Sequence, residues 1–219
     1  MILAAGRGER MRPLTDTSPK PLLKVQGKAL IEYHIENLVK AGVKEIVINH
    51  AWLGHMLPEQ LGDGSRWGIN ISYSAEGALG LETAGGIINA LPLLGDEPFI
   101  LVNGDIFCDF DFSQLRSDTD SLVHLVMVPN PVQHPEGDFF LQDGRLVDQG
   151  CEKYTYSGIG VYSPSFFTGM SIERRALGPL LRQGIQSNTI SGQLHQGEWR
   201  DIGTPERLAQ LNKDLGASA

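Results

Sequence analysis

Met1-Ile-Leu-Ala-Ala-Gly-Arg-Gly-Glu-Arg10 opens the chain, and this stretch decides the fold. A short apolar strand is followed at once by a loop that contains Gly6 and Gly8. Glycines let backbone N–H groups approach an anion closely, and cations nearby hold its charge. Two glycines alone fit a plain turn with a basic, solvated face equally well. Arg10 and the later Pro19-Lys20-Pro21 run favour a loop that holds the triphosphate of a nucleotide.

The elements that follow alternate between helices and strands. Apolar residues at helical spacing predict a helix over 29–41, and Gly42 fits the position just past its end. Residues 43–49 form a continuous apolar run that predicts a buried strand. Strand, helix and strand with short links predict a right-handed parallel crossover. The remaining predicted helices are a short one over 54–62 interrupted at Pro58, one over 83–91 with Thr83 as its N-cap, one over 172–183 broken at Gly178-Pro179, and a last one capped by Thr204 with Pro205 at its first position. The remaining predicted strands cover 69–74, 98–102, 121–129, 154–162, 190–196 and 199–203, and a hairpin over 138–149 turns at Asp143-Gly144.

Strand order changes character between the two halves of the chain. The first half predicts repeated βαβ units and the second half is rich in antiparallel strands. We therefore expect an α/β fold: a doubly wound, mixed and mainly parallel, Rossmann-like sheet with a small antiparallel lobe. In such sheets ligands bind beyond the carboxyl ends of the strands. The Gly6–Arg12 loop and Asn103-Gly-Asp105 both fall at such ends.

Charge and composition exclude several classes of function. The 219 residues carry a net charge of −8, which argues against general nucleic-acid binding. The apolar run from Ile2 to Ala5 is too short to span a membrane or to form a signal-peptide core, so we expect a cytoplasmic protein with no membrane partner. Cys108 and Cys151 form no C-x-x-C pair, and free thiols are expected.

Two carboxylates are candidates for a magnesium site. Asp105 ends an apolar strand and Asp201 ends a short one, and carboxylate oxygens suit the hard Mg²⁺ ion. Either residue alone also fits an ordinary turn. The six histidines show no metal-binding spacing, and no G-x-S-x-G nucleophile motif occurs. Phosphoryl-type transfer needs no covalent nucleophile, because it depends on positioning and on cations that offset developing charge.

Further glycines mark candidate binding segments. Glu76-Gly77 and Glu82-Thr-Ala-Gly-Gly86 could read the edge of a base through backbone groups, although a plain helix start fits the second segment too. Gly158 and Gly160 lie inside a predicted strand and suggest close backbone approach by a ligand.

Taken together, these motifs strongly resemble those of the sugar-1-phosphate nucleotidylyltransferases. The matching residues are Leu3-Ala-Ala-Gly-Arg-Gly-Glu-Arg10, Pro13, Thr15, Pro19-Lys-Pro21 and the Gly104-Asp105 pair, and the order of elements agrees over essentially the whole chain. Glu9 departs from the usual Thr of that pattern. No left-handed β-helix repeat follows, so we expect a catalytic domain alone, a GT-A-like fold over 1–219 with a nucleotide-binding half (1–112) and a sugar-binding half (113–219).

The resemblance implies transfer of UMP from UTP to a sugar 1-phosphate with release of pyrophosphate, in a monomer or homodimer. Within the family, the resemblance is strongest to members that act on N-acetylmuramate 1-phosphate in peptidoglycan recycling. The segments that carry this narrower resemblance are 49–54, 61–66, 81–86 and 137–139. Mannose 1-phosphate with GTP, or glucose 1-phosphate with UTP or dTTP, remain alternatives, and a non-catalytic sugar-nucleotide sensor is an alternative of another class.

The resemblance also implies a role for individual residues. Arg10, Lys20 and Asp105 are the expected catalytic residues, with Asp105 and Asp201 holding Mg²⁺. A muramic acid substrate carries a lactyl carboxylate, for which His134, Lys153 and Arg182 are candidate partners. The expected nucleotide-binding residues are Leu3, Ala4, Ala5, Gly6, Gly8, Glu9, Arg10, Lys20, Glu76, Thr83 and Gly85, and the expected sugar-binding residues are Asn103, Asp138, Glu152 and Gly158.

Overall fold

A computed structural model describes residues 1–77, 80–115 and 120–217. Within these ranges no helix is long and apolar enough to cross a membrane. The strands are β1 (Ile2–Leu3), β2 (Lys24–Val25), β3 (Lys28–Ala29), β4 (Glu45–His50), β5 (Asn70–Ala75), β6 (Phe99–Asn103), β7 (Ile106–Cys108), β8 (Val123–Val128), β9 (Phe139–Gln142), β10 (Arg145–Val147), β11 (Lys153–Tyr162), β12 (Ile190–Leu194) and β13 (Trp199–Asp201). The helices are α1 (Leu30–Lys40), α2 (Met56–Leu61), α3 (Glu82–Leu94), α4 (Leu177–Gln186) and α5 (Pro205–Ala217).

A mixed sheet of nine strands forms the centre, in the order β5-β4-β1-β6-β11-β8-β12-β10-β9. β5, β4, β1 and β6 run parallel, as the repeated βαβ pattern predicts. β11 then runs antiparallel to both β6 and β8, while β12 is parallel to β8. The second half of the chain thus extends the same sheet, and the predicted α/β fold with a mixed, doubly wound sheet is confirmed.

Helices cover both faces of the sheet because alternate strand residues point to opposite sides. Val47 packs in one apolar cluster with residues of α3 and α4. Its neighbours Ile46 and Ile48 pack in the other cluster with residues of α1 and α2. α5 packs separately, in a third apolar cluster that contains its Leu211 and Met11.

Most of the predicted local signals are confirmed. Gly42 follows α1 with φ +90°, and Asp143-Gly144 turns between β9 and β10 with φ of +49° and +77°. Thr204 Oγ1 accepts from the amide of Arg207, 3.4 Å away, at the start of α5. Both cysteines are free thiols, with Cys108 buried and Cys151 exposed.

Predictions of where helices begin were less accurate. α3 begins at Glu82, so Thr83 is not its N-cap, and Leu81 occupies that position with no side-chain cap. Gly178-Pro179 does not break a helix but lies in the first turn of α4. The first backbone N–H groups of a helix have no partner within it, so a proline there removes no helical hydrogen bond.

Candidate active site

Two cavities open at the carboxyl ends of the parallel strands, and Asn103 and Asp105 line both. We name them cavity A, of about 350 Å³, and cavity B, of about 230 Å³. Cavity A is lined by Leu3, Ala4, Ala5, Gly6, Arg7, Lys20, Pro21, Asn49, Glu76, Gly80, Glu82, Thr83, Asn103, Asp105 and Arg174. Cavity B is lined by Asn103, Asp105, Ile106, Pro131, Gln133, His134, Thr155, Tyr156, Ser157, Trp199 and Asp201.

The N-terminal loop, residues 4–12, is anchored where it leaves β1. The amide of Ala4 donates to Asn49 Oδ1 at the end of β4, at 2.8 Å. Gly8 has φ +67°, and a Cβ there would lie 2.9 Å from Thr15 Cγ2, so the loop can fold back only with glycine at that position. Gly6 has open space around it and lines cavity A, which leaves its backbone accessible to a ligand.

The cations of this region differ in what holds them. Arg7 donates to Thr15 O, pairs with Asp16 at 3.0 Å and stacks on Trp52, so it braces the loop. Arg12 pairs with Glu9 and Asp16. By contrast, the Arg10 side chain makes no hydrogen bond or ion pair with any residue in the described ranges, which leaves it available to an anion.

Lys20 and Asp105 form the one ion pair between the N-terminal segment and β6–β7 among the residues described. Lys20 Nζ lies 2.7 Å from Asp105 Oδ2, and its side chain is only 9% exposed. Both residues line cavity A. A largely buried ammonium beside Asp105, which lines both cavities, is placed to offset the charge of an anion bound there.

The two candidate metal ligands lie on paired segments. The amide of Ile202 donates to Asp105 O at 3.0 Å, and Asp201 is opposite Ile106 in the β7–β13 pair. Asp201 Oδ2 accepts from Arg207 Nη1 at 2.6 Å. In the described part of the chain no group of three or more His, Cys, Asp or Glu side chains could hold a metal, so this carboxylate pair is the donor set to consider.

The far wall of cavity A contains a half-buried carboxylate. Glu76 accepts from Asn49 Nδ2 at 2.5 Å and from the amide of Leu81 at 2.7 Å. Burial raises the pKa of Glu76, while these two hydrogen bonds lower it. Gly86 is required beside it, because a Cβ there would lie 2.1 Å from Glu76 Oε1.

Several predicted residues line neither cavity. Gly8, Glu9 and Arg10 lie farther along the N-terminal loop, outside the lining of cavity A. Gly85 is buried against residues 173–175: its amide donates to Arg175 O at 3.2 Å, and a Cβ would lie 2.2 Å from Glu173 O. The structure thus gives Gly85 a packing partner in the protein.

The predicted sugar-binding residues also separate into groups. Asn103 lines cavity B, and Gly158 lies directly behind it, with φ +84°. Asp138 lies behind the wall and accepts from the amide of Tyr156 at 2.8 Å. Glu152 is exposed and accepts from Tyr154 Oη, so the structure does not bring it to the cavity.

The structure adds residues that sequence reasoning did not single out as ligand contacts. Asn49 ends β4 and could have been found by the rule that picked out Asn103, since both are polar residues at strand ends. Arg174 pairs with Glu82 at 3.0 Å across the edge of cavity A. No sequence signal marks Arg174, which reaches the site from the segment before α4.

Comparisons with known proteins point to one family. Residues 1–137 match the family model described as nucleotidyl transferase. The chain is 52% identical to the N-acetylmuramate alpha-1-phosphate uridylyltransferase of Neisseria meningitidis serogroup B, covering 99% of this chain and 98% of that protein. It is 32% identical to the Caulobacter vibrioides protein of the same name, over 94% of this chain and 92% of that one. A Mycobacterium tuberculosis mannose-1-phosphate guanylyltransferase is 30% identical over 98% of this chain and 64% of its own length.

The fold is shared with solved structures of low identity. The crystal structure of HddC from Yersinia pseudotuberculosis complexed with GMP-PN superposes with a TM-score of 0.81 at 21% identity, covering 98% of this chain and 97% of that one. A Bacillus anthracis protein crystallised with sucrose gives a TM-score of 0.84 at 17% identity, over 97% and 92% of the two chains.

Proposed function

This chain belongs to the nucleotidyl transferase family, and we propose that it transfers UMP from UTP to N-acetylmuramate 1-phosphate. The products are UDP-N-acetylmuramate and pyrophosphate, and the reaction serves peptidoglycan recycling. The observation that carries this proposal is the junction of two cavities at Asn103 and Asp105. One cavity suits a nucleoside triphosphate and the other suits a sugar, so the two phosphates meet between them. The nearly full-length relatives at 52% and 32% identity support this choice of nucleotide and sugar.

The reaction is a displacement at the α-phosphorus of UTP. An oxygen of the sugar phosphate forms the new bond to phosphorus, the bond to the bridging oxygen breaks, and the electron pair leaves with pyrophosphate. The attacking oxygen belongs to an ionised phosphate, so no general base is required. Bringing two anions to attack distance is the main barrier that the protein must lower.

Two cations of this chain suit that task. Lys20, buried beside Asp105 at the cavity junction, offsets the charge of the α-phosphate and the incoming phosphate. Arg10 has no partner in the described residues and would hold the leaving β- and γ-phosphates. A charged hydrogen bond of this kind contributes about 1.5–3 kcal/mol.

Asp105 and Asp201 would hold Mg²⁺. Their carboxylates line the same cavity, and each has one oxygen engaged by a cation, Lys20 or Arg207. Oxygen donors of this kind fit a hard cation that also keeps waters and phosphate oxygens. When bound, the ion supplies positive charge that offsets the negative charge shared by the phosphates.

The nucleoside would lie in cavity A against the backbone of residues 3–6. Glu76 and Thr83 line the same space, and Asn49 holds Glu76 in position. The half-buried Glu76 carboxyl is placed to meet a donor on the base. Asn103 would face the sugar from the other side of the junction.

The test is a pyrophosphate-release assay with UTP, Mg²⁺ and N-acetylmuramate 1-phosphate. Asp105→Ala and Asp201→Ala should each lower kcat by at least about a hundredfold, since each removes charge-stabilising interactions at the reacting phosphates. Asp109→Ala is the matched control, because Asp109 is exposed and pairs with His195 away from both cavities. Its activity should stay near that of the wild type. No pyrophosphate release by the wild-type protein with any sugar phosphate would overturn the proposal and favour a sensor.

A second panel separates the proposed substrates from those of other family members. It crosses the four nucleoside triphosphates with N-acetylmuramate, mannose and glucose 1-phosphates. The mannose-1-phosphate guanylyltransferase at 30% identity is the reason for including GTP with mannose 1-phosphate. A higher kcat/KM for that pair than for UTP with N-acetylmuramate 1-phosphate would reassign the specificity and keep the reaction class.

A further inference from the structure

Cavity B contains a single side chain that can carry a positive charge, among the lining residues that the structure describes. That residue is His134, whose side chain is 42% exposed. The other lining side chains are neutral or acidic, and the acidic ones are Asp105 and Asp201 at the cavity junction. A ligand with a carboxylate away from its phosphate would therefore meet its only cationic partner in this cavity at His134.

The His134 imidazole is held in one orientation. Its Nε2 lies 3.1 Å from Asp138 Oδ1, and the other oxygen of Asp138 accepts from the amide of Tyr156 at 2.8 Å. The loop backbone is fixed as well, because the amide of His134 donates to Pro131 O at 2.8 Å. With Nε2 donating to Asp138, the imidazolium form has an Nδ1–H left to donate to a ligand.

The two other candidate cations lie elsewhere. Lys153 Nζ is 5.2 Å from the centre of the Phe140 ring, and the Arg182 guanidinium is 6.0 Å from that of Phe139. Neither residue lines cavity A or cavity B. The sequence alone does not choose among His134, Lys153 and Arg182 as partners of the carboxylate. Their positions in the fold do, because His134 alone of the three lines a cavity.

We propose that His134, oriented by Asp138, binds the lactyl carboxylate of N-acetylmuramate 1-phosphate and so selects muramic acid over glucosamine. This inference rests on the proposed function. N-acetylglucosamine 1-phosphate has the same ring and acetamido group but lacks the lactyl ether. It therefore has no carboxylate with which His134 could form an ion pair. The preference is a difference between two affinities and comes from this one charged contact.

The test compares the two sugar phosphates in the wild-type protein and in His134→Gln. Glutamine keeps a hydrogen-bonding side chain and cannot carry a positive charge. We expect the KM for N-acetylmuramate 1-phosphate to rise by about tenfold or more, as for loss of a charged hydrogen bond, with kcat little changed. The KM for N-acetylglucosamine 1-phosphate, or its inhibition constant if it is not turned over, should stay within about twofold of the wild-type value. Arg182→Gln is the matched control and should leave both constants unchanged.

The pH profile gives a second readout. The charged and titratable groups around His134 are Asp138 and Glu136 on its own loop, Tyr156 on β11, and Asp105 and Asp201 across the cavity. In the wild-type protein the preference for the muramic substrate should weaken at higher pH, because only a positively charged imidazole attracts the carboxylate. In His134→Gln the preference should not depend on pH.

The outcomes separate this inference from the function on which it rests. If the wild-type protein transfers UMP to no sugar phosphate, the proposed function fails. If the wild type forms UDP-N-acetylmuramate, but His134→Gln leaves the ratio of the two KM values unchanged or raises both equally, His134 does not read the carboxylate and this inference is wrong.

Discussion

Gly158→Ala is the substitution that tests most directly how the fold positions the site. Gly158 lies at a register shift in β11, between Tyr156 and Ile159, with φ +84°. A Cβ at this position would lie 2.5 Å from Asn103 Nδ2 and 2.6 Å from Asn103 Cγ. Because Asn103 lines both cavities, the added methyl group must displace a side chain at their junction.

The expected loss of stability has two parts. A left-handed conformation costs an alanine about 1–2 kcal/mol, and an overpacked contact costs about 1–3 kcal/mol more. Gly144→Ala is the matched control, since Gly144 has φ +77° but the nearest atom to its Cβ would be Gly192 O at 4.0 Å. It should lose only the first part. The free energy of unfolding of Gly158→Ala should therefore be about 1–3 kcal/mol below that of Gly144→Ala, and its Tm roughly 2–12 °C lower.

Denaturant titration and steady-state kinetics measure the two consequences. Gly158→Ala should lower kcat/KM for the sugar phosphate, while Gly144→Ala should leave it unchanged. In an Asn103→Ala background the two closest contacts disappear and only the contact with the Cβ of residue 103, at 2.9 Å, remains. Gly158→Ala should therefore lose less stability there, with a coupling of about 1 kcal/mol or more. Equal stability and equal activity of the two glycine variants would refute the role given to Gly158.

Three further predictions concern acid stability, the N-terminal loop and cavity A. Burial lowers the pKa of His34 to about 4, below the value near 6.5 of an unfolded chain, so the unfolded state binds more protons between these values. The free energy of unfolding therefore has its full value above pH 6.5 and falls toward pH 4 by up to about 1.4 kcal/mol per pH unit. Urea titrations at several pH values should show a smaller fall for His34→Gln than for the wild type. An equal fall in the two proteins would contradict this. Arg10→Gln should raise the KM for UTP about tenfold. Arg12→Gln should leave this KM unchanged, because the Arg12 guanidinium already pairs with Glu9. Equal effects of the two substitutions in initial-rate assays would show that Arg10 does not bind the phosphates. Asn49→Ala leaves the buried amide of Ala4 without a partner and removes one of the two hydrogen bonds that Glu76 accepts. It should lower the free energy of unfolding by about 1–3 kcal/mol and raise the KM for UTP; a variant as stable as the wild type by denaturant titration would show that these hydrogen bonds are dispensable.

Much of the fold could be predicted because its signals are local. Apolar periodicity marks the strands and helices of the first half, and Gly42 and Asp143-Gly144 fit turns whose positive φ values follow from neighbouring chemistry alone. The beginning of α3 was harder to predict, because a backbone group of a distant segment caps it. The carbonyl of Arg175 accepts from the amides of Ala84 and Gly85 at the start of α3, and no pattern near residue 83 contains that information.

The sequence by itself determined the N-terminal glycine loop, its cations and the strand-end carboxylates, because a strand followed by a glycine loop or an acidic residue has the same consequence in any α/β sheet. Only the tertiary structure decided which of these groups meet. Asp105 and Asp201 are brought together by the pairing of β7 with β13, and Lys20 reaches Asp105 across 85 positions of sequence. His134 is distinguished from Lys153 and Arg182 in the same way. The physical reason is that charge and hydrogen bonding act over a few ångströms, and contacts between residues far apart in sequence depend on how the whole core packs.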